Sequence, residues 1–257
     1  MKIAVLVKQT PDTETKAKLG GSGLDTTGVK FILNPYDEFA VEEAIQLRDK
    51  NSGEATVVSL GPDRVVEAMR TALAMGCDNG IHVKVSDDDL AKFDSFAVAK
   101  ALAESIKDKG FDLILCGKQA IDDDALAVPQ MVAEFLGLPR ATVVTKLSIE
   151  GGKAKASRAV EGGAEEVIEF ATPAVVAAHK GLNTPRYASL PGIMKAKQKK
   201  IDVVEASSLG VTADTAKVTY ENFELPPEKA AGKVFKGEPA ELAKQIVEHL
   251  RNEAKVI

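Results

Sequence analysis

The sequence predicts an α/β fold: a parallel sheet covered by helices on both faces, with an antiparallel extension and a C-terminal arm. Three observations predict it. Over the first 180 residues, short apolar runs alternate with amphipathic ones, the pattern of repeated strand–helix units. Glycine pairs, Gly151-Gly152 and Gly162-Gly163, then punctuate β-like runs as hairpin turns do. After residue 181 the organisation loosens, and the rest of the chain shows no core of its own. The expected division is residues 1–200 for the α/β domain and 201–257 for the arm and a terminal helix.

The first strand is "KIAVLVK". "NPYDEFAVEEAIQLRDKNSG" is a helix that Asn34 is placed to cap, with Pro35 suited to its first turn. Asp37, Glu38, Glu42 and Glu43 load its N-terminal half, and Arg48 and Lys50 its end, as the helix dipole favours. "EATVVSL" is the next strand. "GPDRVVEAMRTALAMG" is a helix opened by Pro62 and closed by Gly76. "GIHVKV" is a strand, and "DSFAVAKALAESIKDKG" a helix with Ala99, Leu102, Ala103 and Ile106 on one face. "FDLILCG" is continuously apolar, as a strand buried on both faces is. "DDDALAVPQMVAEFLGLP" reads as a helical segment interrupted near Pro129. Four such units in a row imply a parallel sheet with right-handed crossovers. Residues 201–237 mix short β-like runs with "LPPEKAAGKVFKGEP" and read as an arm lying on something else. "PAELAKQIVEHLRNE" is an amphipathic helix with Ala243, Ile246, Val247 and Leu250 as its stripe.

Composition excludes several classes. The 257 residues carry a net charge of −5, so there is no general nucleic-acid surface. Tryptophan is absent and aromatics make up 5%, which leaves little for stacking on single strands. No apolar run approaches the roughly 20 residues of a membrane span, so no membrane insertion is expected. Cys77 and Cys116 are far apart and in no metal or C-x-x-C spacing, and read as reduced thiols. With "MKIAVLV" strand-like rather than a leader, this points to a bacterial cytoplasm and leaves an organelle matrix open. His82, His179 and His249 are scattered and read as structural or surface residues. G-x-G-x-x-G, Walker A and G-x-S-x-G motifs are all missing. No catalytic residue and no metal ligand set is expected.

Three loops remain: "NPYD" at 34–37, "SLGP" at 59–62 and "GKQAIDDDALAVPQ" at 117–130. Each follows a strand and adjoins a helix N-terminus, whose free N–H groups suit an anion. Converging at one sheet edge, they would form a nucleotide pocket. Each alone is ordinary helix-start chemistry, and the acidic triplet Asp122, Asp123, Asp124 suits a helix N-terminus but repels phosphate. Capping and nucleotide binding both stand. A fourth segment, "GLNTPRYASLPGIMKAKQKK" at 181–200, has no carboxylate. Prolines frame an apolar patch of Tyr187, Leu190, Pro191, Ile193 and Met194, and Lys195, Lys197, Lys199 and Lys200 come after it.

Five ordered blocks carry a resemblance over nearly the whole chain: "NPYDEFAVEEAIQL", "RTALAMGCDNGIHV", "GKQAIDDD", "RAVEGGAEEVIEFATPAVVA" and "NTPRYASLPGIMKAKQKKI". Together they resemble the β subunit of the electron transfer flavoproteins. The resemblance implies a nucleotide-binding α/β fold of the adenine nucleotide alpha-hydrolase-like type. It implies a heterodimer whose α subunit holds most of one FAD, with a structural AMP in the β subunit. Matched to this sequence, the AMP site would use the chain near Leu6, then Asn34, Pro35, Tyr36, Asp37 and Leu60. It would continue from Asp122, Asp123 and Asp124 through Ala125, Leu126, Ala127, Val128, Pro129, Gln130, Met131 and Val132 to Ala133. The implied partners are acyl-CoA and related dehydrogenases as donors and a membrane-bound quinone oxidoreductase as acceptor. The fifth block would be the partner-recognition loop, with Leu190 as anchor and the lysines as steering charge. Arg158 and Glu161 would face the flavin or the α subunit, or pair across their turn.

The chain departs from the family pattern at Ala127-Val128-Pro129, where members commonly carry Gln-Thr-Gly or Gln-Val-Gly. Glycine lets phosphate approach, and proline lacks an N–H donor. The triplet "DDD", with Leu126 after it, is similar to the AMP-type branch. Electron-bifurcating relatives, which hold a second FAD and oxidise NADH, have a "D-G-D" version. An adenine-nucleotide enzyme or sensor without a redox role is the remaining alternative.

Overall fold

The computed structural model describes residues 1–20, 23–228 and 231–257. The chain begins with β1 (Lys2–Leu6) and β2 (Gln9–Pro11). The two-residue pair β3 (Leu19–Gly20) and β4 (Gly23–Leu24) is next, and then β5 (Phe31–Leu33), which pairs antiparallel with β2. After them come α1 (Pro35–Asn51), β6 (Glu54–Gly61), α2 (Val65–Met75), β7 (Asn79–Lys84), the single turn α3 (Asp87–Leu90), α4 (Ser95–Ile106), β8 (Leu113–Gly117) and α5 (Val128–Leu136). The remainder is β9 (Arg140–Glu150), β10 (Lys153–Ala159), β11 (Glu165–Ala171), β12 (Ala174–Ala178), α6 (Leu190–Ala196), β13 (Ile201–Glu205) and α7 (Pro239–Asn252).

One nine-stranded sheet organises them, in the order β11-β10-β9-β12-β8-β1-β6-β7-β13. The strands from β9 to β13 in that order run parallel, and β10 and β11 extend the sheet as antiparallel hairpins. The alternating side chains of each strand divide between two cores. Ile3, Val5, Val57, Leu113, Leu115 and Val176 face α1 and α2. Ala4, Leu6, Val58, Ile114, Cys116 and Val175 face α4 and α5. The expected hairpin turns are present, with Gly151, Gly152, Gly162 and Gly163 all at positive φ, which glycine adopts without strain.

Three details differ from expectation. Pro129 does not interrupt a helix: it lies in the first turn of α5, where its missing N–H has no partner to lose. Asn34 occupies the N-cap position of α1 but makes no side-chain cap. The sheet also runs past residue 200, because β13 pairs in parallel with β7, Ile201 opposite Gly80. Ala206 and Val211 just beyond it are buried in the α4 core. As an edge strand, β13 exposes Asp202, Val203 and Glu205, which masks its sheet pattern. From about Lys217 onward no described residue is buried, and Lys229 and Ala230 of the expected arm lie outside the described residues. Helix α7 buries none of its residues in this chain.

Candidate functional site

Strand order reverses between β1 and β8: the chain moves from β1 outward to β6 and β7, then returns to β8 on the other side of β1. Ligands of open parallel sheets bind at such a reversal, outside the carboxyl ends of the strands. Here the crevice floor is built by Asp37. Its two carboxylate oxygens accept main-chain N–H groups from Lys8 at 2.7 Å and from Gly117 at 2.8 Å. One side chain in the first turn of α1 thus ties the ends of β1 and β8. Gly117 is required for this approach, since a Cβ there would lie 2.7 Å from the Tyr36 carbonyl carbon. Burial pushes the Asp37 carboxyl up to about 7, against the hydrogen bonds it accepts.

The loop after β8 is tied to the same place. The Asn34 side chain donates to the Gln119 carbonyl at 2.9 Å and accepts from the Ile121 N–H at 3.3 Å, which explains why it leaves its own helix uncapped. Lys8 donates to Asp122 at 2.8 Å and to Asp123 at 3.0 Å. Burial works against its charge, but the two carboxylates outweigh burial and hold its pKa above the ordinary lysine value. The Gln119 amide donates to Asp124, which sits at positive φ. So Leu6 and Leu60 at their strand ends, the 34–37 turn and the 117–130 loop meet at one rim. Asp122, Asp123, Asp124 and Leu126 are exposed along it, with Ala125, Ala127 and Val128 half-buried between them and α5. Pro129, Val132 and Ala133 form the buried face of α5, and the Oε1 of Gln130 is buried with no donor among the described residues.

A second constellation lies on the outer side of α1 and α2. Segment 181–200 runs along both helices. Asn183 donates to the Phe39 carbonyl at 3.0 Å and to Glu43 at 2.9 Å. Arg186 clamps the nearly buried Glu42 carboxylate with two bonds, at 2.7 and 2.8 Å. Ser189 then caps the seven-residue helix α6, accepting from the Gly192 N–H at 3.1 Å, with Pro191 in its first turn. Gly192 rests on α2: a Cβ would lie 2.5 Å from the Ala74 carbonyl oxygen. The apolar side chains face out, Tyr187 99%, Leu190 74% and Met194 60% exposed, with Ile193 beside them. The lysines divide. Lys195 and Lys197 are exposed and in no ion pair among the described residues, and Lys200 pairs with Asp202 at 2.7 Å. Lys199 turns inward to the Leu73 and Cys77 carbonyls, and burial lowers its pKa.

The electron transfer flavoprotein domain model matches residues 22–209. The chain is 45% identical to the electron transfer flavoprotein subunit beta of Bacillus subtilis, covering all of both chains. It is also 43% identical to the Homo sapiens subunit beta over 90% of this chain and 91% of that one. The chain belongs to the electron transfer flavoprotein β-subunit family.

Within this family chain, some site residues escaped the sequence. Lys8 is one, although a cation just beyond a parallel strand is a visible signal; Gly117 heads the 117–130 loop read from the sequence, but its contact with Asp37 is not legible there. Arg158 pairs with Glu166 and Thr142, both at 3.3 Å, while Glu161 stands exposed on its turn. His82 is buried against the Gly61 carbonyl at 2.8 Å, a structural position. No helix among the described residues is long and apolar enough to cross a membrane.

Proposed function

We propose that this chain is the β half of a two-subunit electron carrier of the one-FAD type. FAD, held mainly by an α subunit, would supply the one- and two-electron redox chemistry. The donors are acyl-CoA and related dehydrogenases, and the acceptor is a quinone oxidoreductase. This chain contributes a docking surface and a structural adenine nucleotide, AMP, at the β1/β8 crevice. It also contributes contact area for the α subunit through Arg158, Glu161, the exposed arm and α7.

The observation that carries the reading is α6. A seven-residue helix is too short to persist alone. This one is fixed from three sides and still turns Leu190 and Met194 to solvent. An apolar anchor pre-organised in this way loses little entropy on docking. Lys195 and Lys197 beside it favour an acidic partner.

Two features of the crevice support AMP there. Lys8 pairs with both Asp122 and Asp123 and offsets one of their two charges, which lessens the repulsion expected toward a phosphate. The unpartnered Gln130 Oε1 offers an acceptor for a ribose hydroxyl or an amino group. Pro129 withholds one donor at the first turn of α5, so phosphate is held by fewer main-chain N–H groups than a glycine-bearing loop provides.

Leu190→Ala in the assembled, flavin-loaded complex tests the docking reading. Loss of an interface anchor of about 2 kcal/mol should raise KM for a purified acyl-CoA dehydrogenase more than tenfold. An unchanged KM with intact flavin sinks the reading. Mass spectrometry of nucleotide released on denaturation tests the crevice, with AMP expected and FAD alone contrary.

A further inference from the structure

Helices α2 and α6 end against each other, and each supplies the cation that the other's end lacks. The last carbonyls of a helix have no partner within it. Arg70, on α2, donates through Nη1 to the Ala196 carbonyl at the end of α6 and to the Lys199 carbonyl at 2.7 Å. Lys199, three residues beyond α6, donates through Nζ to the Leu73 carbonyl of α2 at 3.0 Å and to the Cys77 carbonyl just past it. Between these two bridges Gly192 brings the α6 backbone onto the Ala74 carbonyl, and Ala196 is buried at the contact. The exchange joins segments far apart in sequence and closes a ring of hydrogen bonds around the base of the docking helix.

We infer that Arg70 and Lys199 are positioning residues for electron transfer: they set the angle at which α6 presents Leu190, without touching the partner. The inference rests on the reading of α6 as a docking helix. Neither residue belongs to the outward apolar patch, and Lys199, counted by sequence among steering charges, is spent on a carbonyl pair inside the fold. Both bonds leave the single Nη1 at the tip of the arginine, and a lysine side chain ends one bond shorter, so Arg70→Lys keeps the charge but retains only part of the bridge.

The test uses the assembled flavin-loaded complex with a purified acyl-CoA dehydrogenase reduced by its own substrate. Arg70→Met should raise KM for the carrier about tenfold, the equivalent of losing one charge-assisted hydrogen bond, with kcat and the flavin spectrum unchanged. Lys199→Met should do the same, and Arg70→Lys should recover part of the loss. In the double variant Arg70→Met/Leu190→Ala, the effects should fall short of the product of the two single effects, because a displaced anchor has little left to lose. An unchanged KM in both Arg70→Met and Lys199→Met, with Leu190→Ala impaired, overturns the positioning role and leaves the docking reading standing. Fully multiplicative effects also overturn it, placing Arg70 in a separate function. A Leu190→Ala complex with normal KM overturns the docking reading and this inference with it.

Discussion

Replacing Asp37 with Asn probes the crevice floor. In the native chain both oxygens accept main-chain N–H groups, from Lys8 and Gly117. Burial moves the carboxyl up to about 7 from an ordinary 3.8. In the unfolded chain it ionises near the ordinary value, so between the two values folding takes up a proton. The stabilisation from Asp37 is therefore complete below the lower value and is lost as pH rises through about 7. The interval is roughly three units, and at about 1.4 kcal/mol per unit the loss approaches about 4 kcal/mol. Asn does not titrate. Its NH₂ faces one of the two main-chain N–H groups, and the orphaned donor costs about 1–3 kcal/mol at every pH. The variant should be less stable than the native chain at about pH 4 and more stable at about pH 8, so the two curves cross. Urea midpoints followed by far-UV circular dichroism at constant ionic strength measure this, provided the slope m is unchanged. Curves that run parallel would mean that Asp37 is ionised throughout, and the reasoning would fail.

Other outcomes are equally definite. Glu42→Gln removes the charged half of the Arg186 clamp and should loosen the 181–189 stretch by about 1.5–3 kcal/mol; trypsin cleavage after Arg186 should accelerate at least tenfold, and an unaltered digestion rate would contradict this. Lys8→Met removes the one cation paired with Asp122 and Asp123 at the rim; AMP recovered from the purified complex should fall, as measured by mass spectrometry, and full occupancy would show that this cation is not needed. Gly117→Ala forces the end of β8 away from Tyr36 and should lower stability by about 1–3 kcal/mol, read from the urea midpoint; no change would mean that the strand end yields freely.

The alternation of apolar runs exposed the parallel sheet because each unit carries its own period and caps. The paired glycines exposed the hairpins because positive φ is a local demand. Long-range contacts were hidden. Asn34 has the chemistry of a helix cap, and nothing nearby in sequence announces that its partners are Gln119 and Ile121. Asp37 looked like one more carboxylate favouring a helix N-terminus, and its role as a tie between two strands depends on residues 29 and 80 positions away. The Ser189-Leu190-Pro191 run had a helix-start signature, a capping serine followed by a first-turn proline, that the surrounding prolines obscured. The β-like start of 201–237 was legible, but its place in the main sheet was hidden because the edge strand β13 shows most of its side chains to water.

Parallel strands give the sheet two unlike rims. The crevice lies where β1 and β8 finish, while α6 leans on the last turn of α2, near where β7 starts. On the proposed reading, a protein seated on α6 would leave the crevice uncovered, and a nucleotide held there would outlast many such visits. Faults at the two rims should then multiply as independent factors: a Lys8→Met/Leu190→Ala chain is expected to lose nucleotide as the first change alone does, and affinity for its donor as the second alone does.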